Sequence, residues 1–154
     1  MTATFADYAA QQDARNTIQL NVTKWTLMLC DALKKNYIDY SIKSHNNAIF
    51  HADAGDSHSA NYHKTCIQKL KDGECDYDFI IESGRKYHKI IMIDDSVRKN
   101  RSVHAFVDRK TGEVYKSASW KSPAKGVRYD LRLIEQREWL LENADWAGSY
   151  LYAK

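Results

Sequence analysis

Apolar residues recur at helical spacing along the first half of the chain. Between residues 17 and 36 this stripe consists of Ile18, Val22, Trp25, Leu29 and Leu33. Steps of three and four residues place these side chains on one side of an amphipathic helix. A shorter amphipathic piece is predicted around Phe5 and Tyr8, so the chain is expected to begin with a helical layer.

Polar residues interrupt the stripe over residues 43–58, where Asn46, Asn47 and Gly55 predict a loop. Ser59 is then a suitable N-cap for a second helix, and Gly73 is a suitable stop for it. The apolar side of this second helix is formed by Tyr62, Cys66, Ile67 and Leu70. That side is expected to pack on the long helix.

The pattern changes to strands in the second half. Four runs rich in β-branched and aromatic residues cover residues 78–82, 87–93, 102–107 and 113–119, and turn-forming residues separate them. Asp108 and Gly112 enclose the last turn, and their spacing favours a type I turn closed by a left-handed glycine. The order of short strands and turns predicts an antiparallel meander.

The chain leaves the sheet after Trp120, because Pro123 and Gly126 do not suit a central strand. Asp130 offers an N-cap for a final helix over residues 131–143. The sequence therefore predicts a single α+β domain over residues 1–154. N-terminal helices (residues 1–73) are expected to pack on one face of a three- or four-stranded antiparallel β-meander (residues 77–129), followed by a C-terminal helix and tail (residues 130–154).

Composition is typical of a soluble globular protein. The 154 residues are 44% hydrophobic and include one proline, which provides enough apolar area to offset the entropy of ordering. No apolar run approaches the roughly 20 residues of a membrane span, and the first residues lack the pattern of a signal peptide. A cytosolic protein with no membrane partner is predicted, and Cys30, Cys66 and Cys75 are expected to stay reduced.

Positive charge is concentrated in residues 84–128. This segment holds 12 of the 23 Lys and Arg residues but four of the 20 Asp and Glu residues, so its net charge is +8 while the rest of the chain carries −5. Aromatic residues are interleaved with the cations, and that combination is typical of a groove for a polyanion. Nucleic acid or another phosphate-bearing ligand is therefore the predicted partner.

Strand alternation divides the basic segment between two faces of the sheet. Val103, Ala105 and Val107 are predicted to face the helices, whereas His104 and Phe106 are predicted to project from the other face. The predicted anion-binding surface consists of Lys89, Arg101, His104, Phe106, Tyr115, Lys116, Trp120, Lys121, Lys125 and Arg128. Each base stacked there would contribute about 1–3 kcal/mol. The alternative is that the aromatics form a second small core under the C-terminal helix, with solvated lysines around it.

Potential metal ligands are scattered between residues 45 and 66. They are His45, His51, Asp53, Asp56, His58, His63 and Cys66. Imidazole and thiolate suit zinc or iron, but the spacing forms no compact ligand pair. Asp53 does not begin a calcium loop, because Lys64 stands where such a loop needs a glutamate. We therefore expect no metal, no cofactor and no catalytic residue, and a hydrolase or nuclease built on these histidines is the least favoured class.

Three segments of the C-terminal half form long motifs. They are residues 84–91 (GRKYHKII), 102–129 (SVHAFVDRKTGEVYKSASWKSPAKGVRY) and 143–152 (NADWAGSYLY). These motifs resemble a family of short, uncharacterised tailed-bacteriophage proteins. The resemblance implies a viral origin and a location in the cytoplasm of an infected bacterial host, with the virion as a second location. It implies no activity, because that family has no established catalytic residue or ligand.

These features together predict a small non-enzymatic phage accessory protein that binds nucleic acid or another phosphate-bearing ligand on a basic aromatic sheet surface. The alternative prediction is a virion component or host-takeover protein whose exposed aromatics bind another protein. Salt separates the two predictions, because phosphate binding weakens steeply as salt rises and an apolar interface does not.

Overall fold

The computed structural model, which describes residues 4–52, 55, 57–95 and 100–152, begins with two helices, continues through five strands and ends with a helix. The α-helices are α1 (Phe5–Phe50), α2 (Ser57–Lys71) and α3 (Ile134–Asn143), and a short 3-10 helix follows α3 at Ser149–Leu151. The strands are β1 (Tyr77–Ser83), β2 (Tyr87–Asp94), β3 (Asn100–Asp108), β4 (Glu113–Lys116) and β5 (Tyr129–Asp130). This order confirms the predicted α+β fold class.

Helix α1 is one continuous element of 46 residues, about 70 Å long at 1.5 Å per residue. The prediction of two separate helical pieces is therefore wrong. The predicted loop from residue 43 onward is also wrong up to Phe50, because these residues are still helical. Residues 5–50 contain neither glycine nor proline, so no residue breaks the hydrogen-bond ladder where the apolar stripe fades. Thr4 and Asp7 form a capping box at the start of the helix. Among the described residues, no helix combines the length and the apolar composition needed to cross a membrane.

Helix α2 starts two residues before the predicted N-cap, so Ser59 lies in its first turn. Gly73 ends the helix as predicted, with a φ of 88°. The N–H groups of Gly73 and Glu74 donate to the carbonyl oxygens of Leu70 and Lys69, respectively. These bonds form the left-handed cap that glycine favours. Leu70 is buried, and α2 packs along α1 as its apolar side predicts.

The strands form an antiparallel sheet in the order β1-β2-β3-β4-β5. The first four strands are the predicted meander, although β4 ends at Lys116 and not at residue 119. The fifth strand, β5, pairs with β4 through Tyr129 and Val114, and it was missed because two residues carry no alternation pattern. The turn before β4 is the predicted one: Gly112 has a φ of 77°, and its N–H donates to the carbonyl oxygen of Asp108 over 2.9 Å.

One face of the sheet, which we call the inner face, packs against α1. Its buried residues are Phe79, Ile90, Ala105, Val107 and Val114. They form one hydrophobic core with the stripe of α1 that includes Val22, Leu29 and Leu33. The prediction that Ala105 and Val107 face the helices is confirmed. We call the opposite side of the sheet the outer face.

A β-bulge changes the alternation in β3. Ile90 pairs with Ala105 but Ile91 pairs with Val103, so His104 has no partner of its own on β2. Residues opposite each other across two strands project to the same face, and Val103 therefore belongs with Ile91 on the outer face. The predictions that Val103 faces the helices and that His104 projects away from them are both wrong.

The connection to α3 also differs from the prediction. Leu131 is fully buried, and its N–H donates to the carbonyl oxygen of Gly112. This bond holds the chain on the sheet beyond Asp130, so α3 begins at Ile134 and Asp130 is not its N-cap. The Asp130 carboxylate accepts instead from the N–H of Arg132.

Candidate nucleic-acid interface

The outer face carries most of the predicted aromatic and basic side chains. By strand pairing it contains Tyr87, Lys89, Ile91, Phe106 and Tyr115. The segment after β4 folds back on itself, with Ser117 bridged to Pro123. This turn brings Trp120 against Lys89 of the outer face. Aromatic rings and cations from three successive stretches of the chain therefore meet on one side of the sheet.

Phe106 lies on the outer face but is fully buried, at 0% exposure. Its ring meets Tyr87 edge to face, with centroids 5.6 Å apart, and Lys89 Nζ lies 5.9 Å from its centroid. These neighbours leave no ring surface for a base, so the prediction of an open platform is wrong at Phe106. A small second core does exist here, but α3 packs on α1 and β5 and is not its cover.

Tyr115 is the partly buried neighbour of this small core. Its hydroxyl donates to the Glu113 carboxylate over 3.1 Å. The pKa of Tyr115 is raised to about 12, mainly by burial and to a smaller extent by the nearby Glu113 carboxylate. The hydroxyl therefore stays protonated and serves as a hydrogen-bond donor at neutral pH.

Trp120 is the exposed aromatic of the outer face, with 41% of its surface accessible. Lys89 Nζ lies 5.1 Å and the guanidinium carbon of Arg101 5.7 Å from its ring centroid. Arg101 is also paired with Glu82, whose carboxylate it reaches over 2.9 Å. Cation–π contacts hold the indole in place, and its remaining surface is accessible to a ligand.

The loop between Ser119 and Gly126 adds two exposed cations, Lys121 and Lys125. Within the described parts of the chain, neither has an acidic partner. Because their ammonium groups are not neutralised by the fold, they remain available for phosphate oxygens.

Arg128 has a different role in the same loop. Its Nε donates to the carbonyl oxygen of Leu151 over 2.7 Å, and its Nη1 donates to the carbonyl oxygens of Lys125 and Gly126 over 3.0 and 2.8 Å. The guanidinium thus ties the loop to the C-terminal segment. Most of its donors serve the fold, and its predicted phosphate contact stays a prediction.

His104 lies on the inner side of the sheet, away from the aromatic residues of the outer face. Its Nε2 is 2.7 Å from the hydroxyl of Tyr150, and its ring meets Phe79 edge to face. Burial lowers the pKa of His104 to about 4, against the opposing effect of the Asp145 carboxylate. His104 is therefore neutral at pH 7 and supplies no positive charge.

Lys116 is also separated from the outer face. It pairs with Ala105 of the inner face, and its Nζ lies 4.9 Å from the ring centroid of Tyr152. The prediction that Lys116 lies beside the aromatic residues is wrong. Neighbouring side chains of a strand point to opposite faces of the sheet, and Tyr115 already points to the outer face.

The predicted surface lacks one aromatic residue of the outer face, Tyr87, and the cation beside it, Lys86. Tyr87 packs on both Phe106 and Tyr115, and Lys86 Nζ lies 5.3 Å from the Tyr87 ring centroid. Alternation from Lys89 already indicates Tyr87, two positions earlier on the same strand. No sequence signal identifies Lys86, because it lies in the turn before β2.

Two of the scattered histidines meet where two helices pack together. His45 belongs to α1 and His63 to α2, and their Nδ1 atoms are 2.8 Å apart. Asp53 and Asp56 lie outside the described residues. Over residues 4–52, 55, 57–95 and 100–152, no group of three or more His, Cys, Asp or Glu side chains is arranged to hold a metal ion.

Comparison with known proteins identifies a family but no function. No curated protein and no solved structure matches the chain. A family model matches residues 5–153, which is nearly the whole sequence. The chain therefore belongs to the family of unknown function DUF7717.

Proposed function

We propose that this protein is a non-enzymatic accessory protein that binds single-stranded nucleic acid on its outer face. The observation that carries the proposal is the half-exposed indole of Trp120 with the cations of Lys89 and Arg101 within 6 Å of its ring centroid. A base stacked on such a ring contributes about 1–3 kcal/mol, whatever its identity. On this proposal, the adjacent cations attract the phosphates on either side of that base.

Electrostatics support a polyanionic ligand. Residues 84–128 carry a net charge of +8, which raises the local concentration of polyanions before contact. Arg101 is already paired with Glu82, so its contribution to phosphate binding is reduced. We therefore assign the phosphate contacts to Lys89, Lys121 and Lys125.

The resemblance of residues 84–91, 102–129 and 143–152 to tailed-bacteriophage proteins supports a viral origin. On this proposal the protein acts in the cytoplasm of an infected bacterium, where single-stranded DNA and RNA are both present. Sequence-independent stacking and phosphate contacts suit an accessory role on either nucleic acid.

A protein partner is the second candidate, and α1 favours it. Leu20, Leu27 and Met28 are 71%, 49% and 42% exposed on this helix. Clusters of exposed apolar side chains are typical of protein-binding surfaces. The protein would then be a virion component or a factor that binds a host protein.

The salt dependence of binding tests the nucleic-acid proposal. We expect the purified protein to bind a fluorescein-labelled single-stranded oligonucleotide, measured by anisotropy. Three phosphate contacts predict a slope of about −2 for log affinity against log salt, and a roughly 20-fold loss of affinity between 50 and 200 mM salt. Absence of binding at 50 mM salt would contradict the proposal and favour a protein partner.

A further inference from the structure

Two histidines from different helices meet between α1 and α2. The Nδ1 atoms of His45 and His63 are 2.8 Å apart, and the ring centroids are 5.1 Å apart with an interplanar angle of 47°. Both side chains are partly buried. When both rings are neutral, the Nδ1–H group of one ring donates a hydrogen bond to Nδ1 of the other, so both nitrogens are directed at a single position.

We infer that His45 and His63 form a two-histidine site for a transition-metal ion of the zinc type. Zinc–nitrogen distances of about 2.0–2.1 Å and a tetrahedral angle place two ligand nitrogens about 3.3 Å apart. The Nδ1 atoms therefore need to separate by only about 0.5 Å for the ion to replace the shared proton. Imidazole nitrogen is a preferred ligand for zinc, copper and nickel, whereas magnesium and calcium prefer oxygen.

The surroundings of the pair suit a cation with an open coordination sphere. A cavity of about 580 Å³ lies between the helices beside His45, and its wall includes Glu74, Asp76 and Lys69. This cavity gives water access to the His45 side of the pair, so waters can complete the coordination of an ion held by the two rings.

Two imidazoles hold a metal more weakly than the four ligands of a structural zinc site. The ion is therefore expected to exchange, and protein purified without added metal is expected to contain no stoichiometric zinc. When bound, it links α2 to the C-terminal part of α1. This inference does not depend on nucleic-acid binding, because the pair lies between the two helices and not on the outer face.

Thermal melting of the full-length, tag-free protein with added Zn²⁺ tests the site. At free Zn²⁺ about 100-fold above the dissociation constant, we expect the Tm to rise by about 5 °C or more. Mg²⁺ is expected to leave the Tm unchanged. His45→Gln and His63→Gln, which keep a polar side chain but remove the ligand, are each expected to abolish the zinc effect. His58→Gln, at an exposed position of the same helix α2, is the matched control and should keep it.

Two further measurements distinguish zinc binding by the two imidazole rings from zinc binding by other side chains. Cys66 and Cys75 line the same cavity, so the Cys66→Ser/Cys75→Ser double variant is expected to retain the zinc effect. In the wild-type protein, Zn²⁺ should shift the ring NMR signals of His45 and His63 and leave those of His104 in place. No rise in Tm for the wild type, an undiminished rise in His45→Gln, or its loss in the double variant would overturn the inference.

Discussion

Replacing Val107 with aspartate is expected to unfold the protein. Val107 is 0% exposed on the inner face, in the core that includes Leu29 of α1 and is bordered by Trp25. An unpaired buried carboxylate costs several kcal/mol. Small domains are stable by about 5–15 kcal/mol, so one such group removes much of the free energy of unfolding. Circular dichroism during heating measures the effect.

The control for Val107→Asp is Ser102→Asp, which places the same charge at an exposed position of β3. This variant is expected to melt cooperatively near the wild-type Tm. If Val107→Asp also melted cooperatively at that temperature, α1 would not cover the face of β3 that carries Val107, and the inner and outer faces would be interchanged.

Acid is expected to destabilise the protein through His104. The pKa of this ring is about 4 in the folded protein and about 6.5 in an unfolded chain. The unfolded chain therefore binds the proton more strongly, so the stability is complete above pH 6.5 and falls as the pH is lowered towards 4. A difference of about 2.5 pKa units corresponds to a loss on the order of 3 kcal/mol in the free energy of unfolding.

Urea unfolding at several pH values between 7 and 4 isolates this effect when His104→Gln is compared with the wild type. The variant is expected to lose less stability over this range, because glutamine does not titrate. Burial also lowers the pKa values of His45 and His88, but these rings are present in both proteins and their effects cancel in the comparison. Equal pH dependence in the wild type and His104→Gln would contradict the packing of His104 against Phe79 and Tyr150.

Local chemistry made much of the fold predictable from the sequence. Gly112 and Gly73 have the positive φ angles that their turn and cap require, and the apolar stripe of α1 is the one that packs on the sheet. These features depend on neighbours within a few residues, which is the range that periodicity and turn patterns report. The fold class and four of the five strands follow from them.

The errors arise where tertiary contacts override local patterns. The bulge that moves Val103 and His104 to opposite faces depends on the register between β2 and β3, and no pattern within β3 reveals it. The backbone bond between Leu131 and Gly112 delays α3. In the same way, the contact between His45 and His63 joins residues 18 positions apart, beyond any compact ligand motif.

The candidate site was predictable in composition but not in arrangement. The net charge of residues 84–128 is a sequence property, and Trp120 with Lys89 and Arg101 follows the prediction of cations around aromatics. Burial of Phe106 and the backbone contacts of Arg128 depend on how the segment after β4 folds back. This folding sets which cations remain available for a ligand.

The most direct test of nucleic-acid binding on the outer face compares two triple variants that remove equal charge. Lys89→Ala/Lys121→Ala/Lys125→Ala removes the assigned phosphate contacts, whereas Lys24→Ala/Lys35→Ala/Lys43→Ala removes three exposed charges from α1. At 100 mM salt, charges more than about 10 Å from the ligand are largely screened.

Affinity for a labelled single-stranded oligonucleotide, measured by anisotropy over a salt series, is the quantity to compare. The outer-face variant is expected to bind at least about tenfold more weakly, with its salt slope reduced by about 2, while the α1 variant keeps the wild-type slope. Equal losses in the two variants, or wild-type affinity in the outer-face variant, would contradict nucleic-acid binding on the outer face.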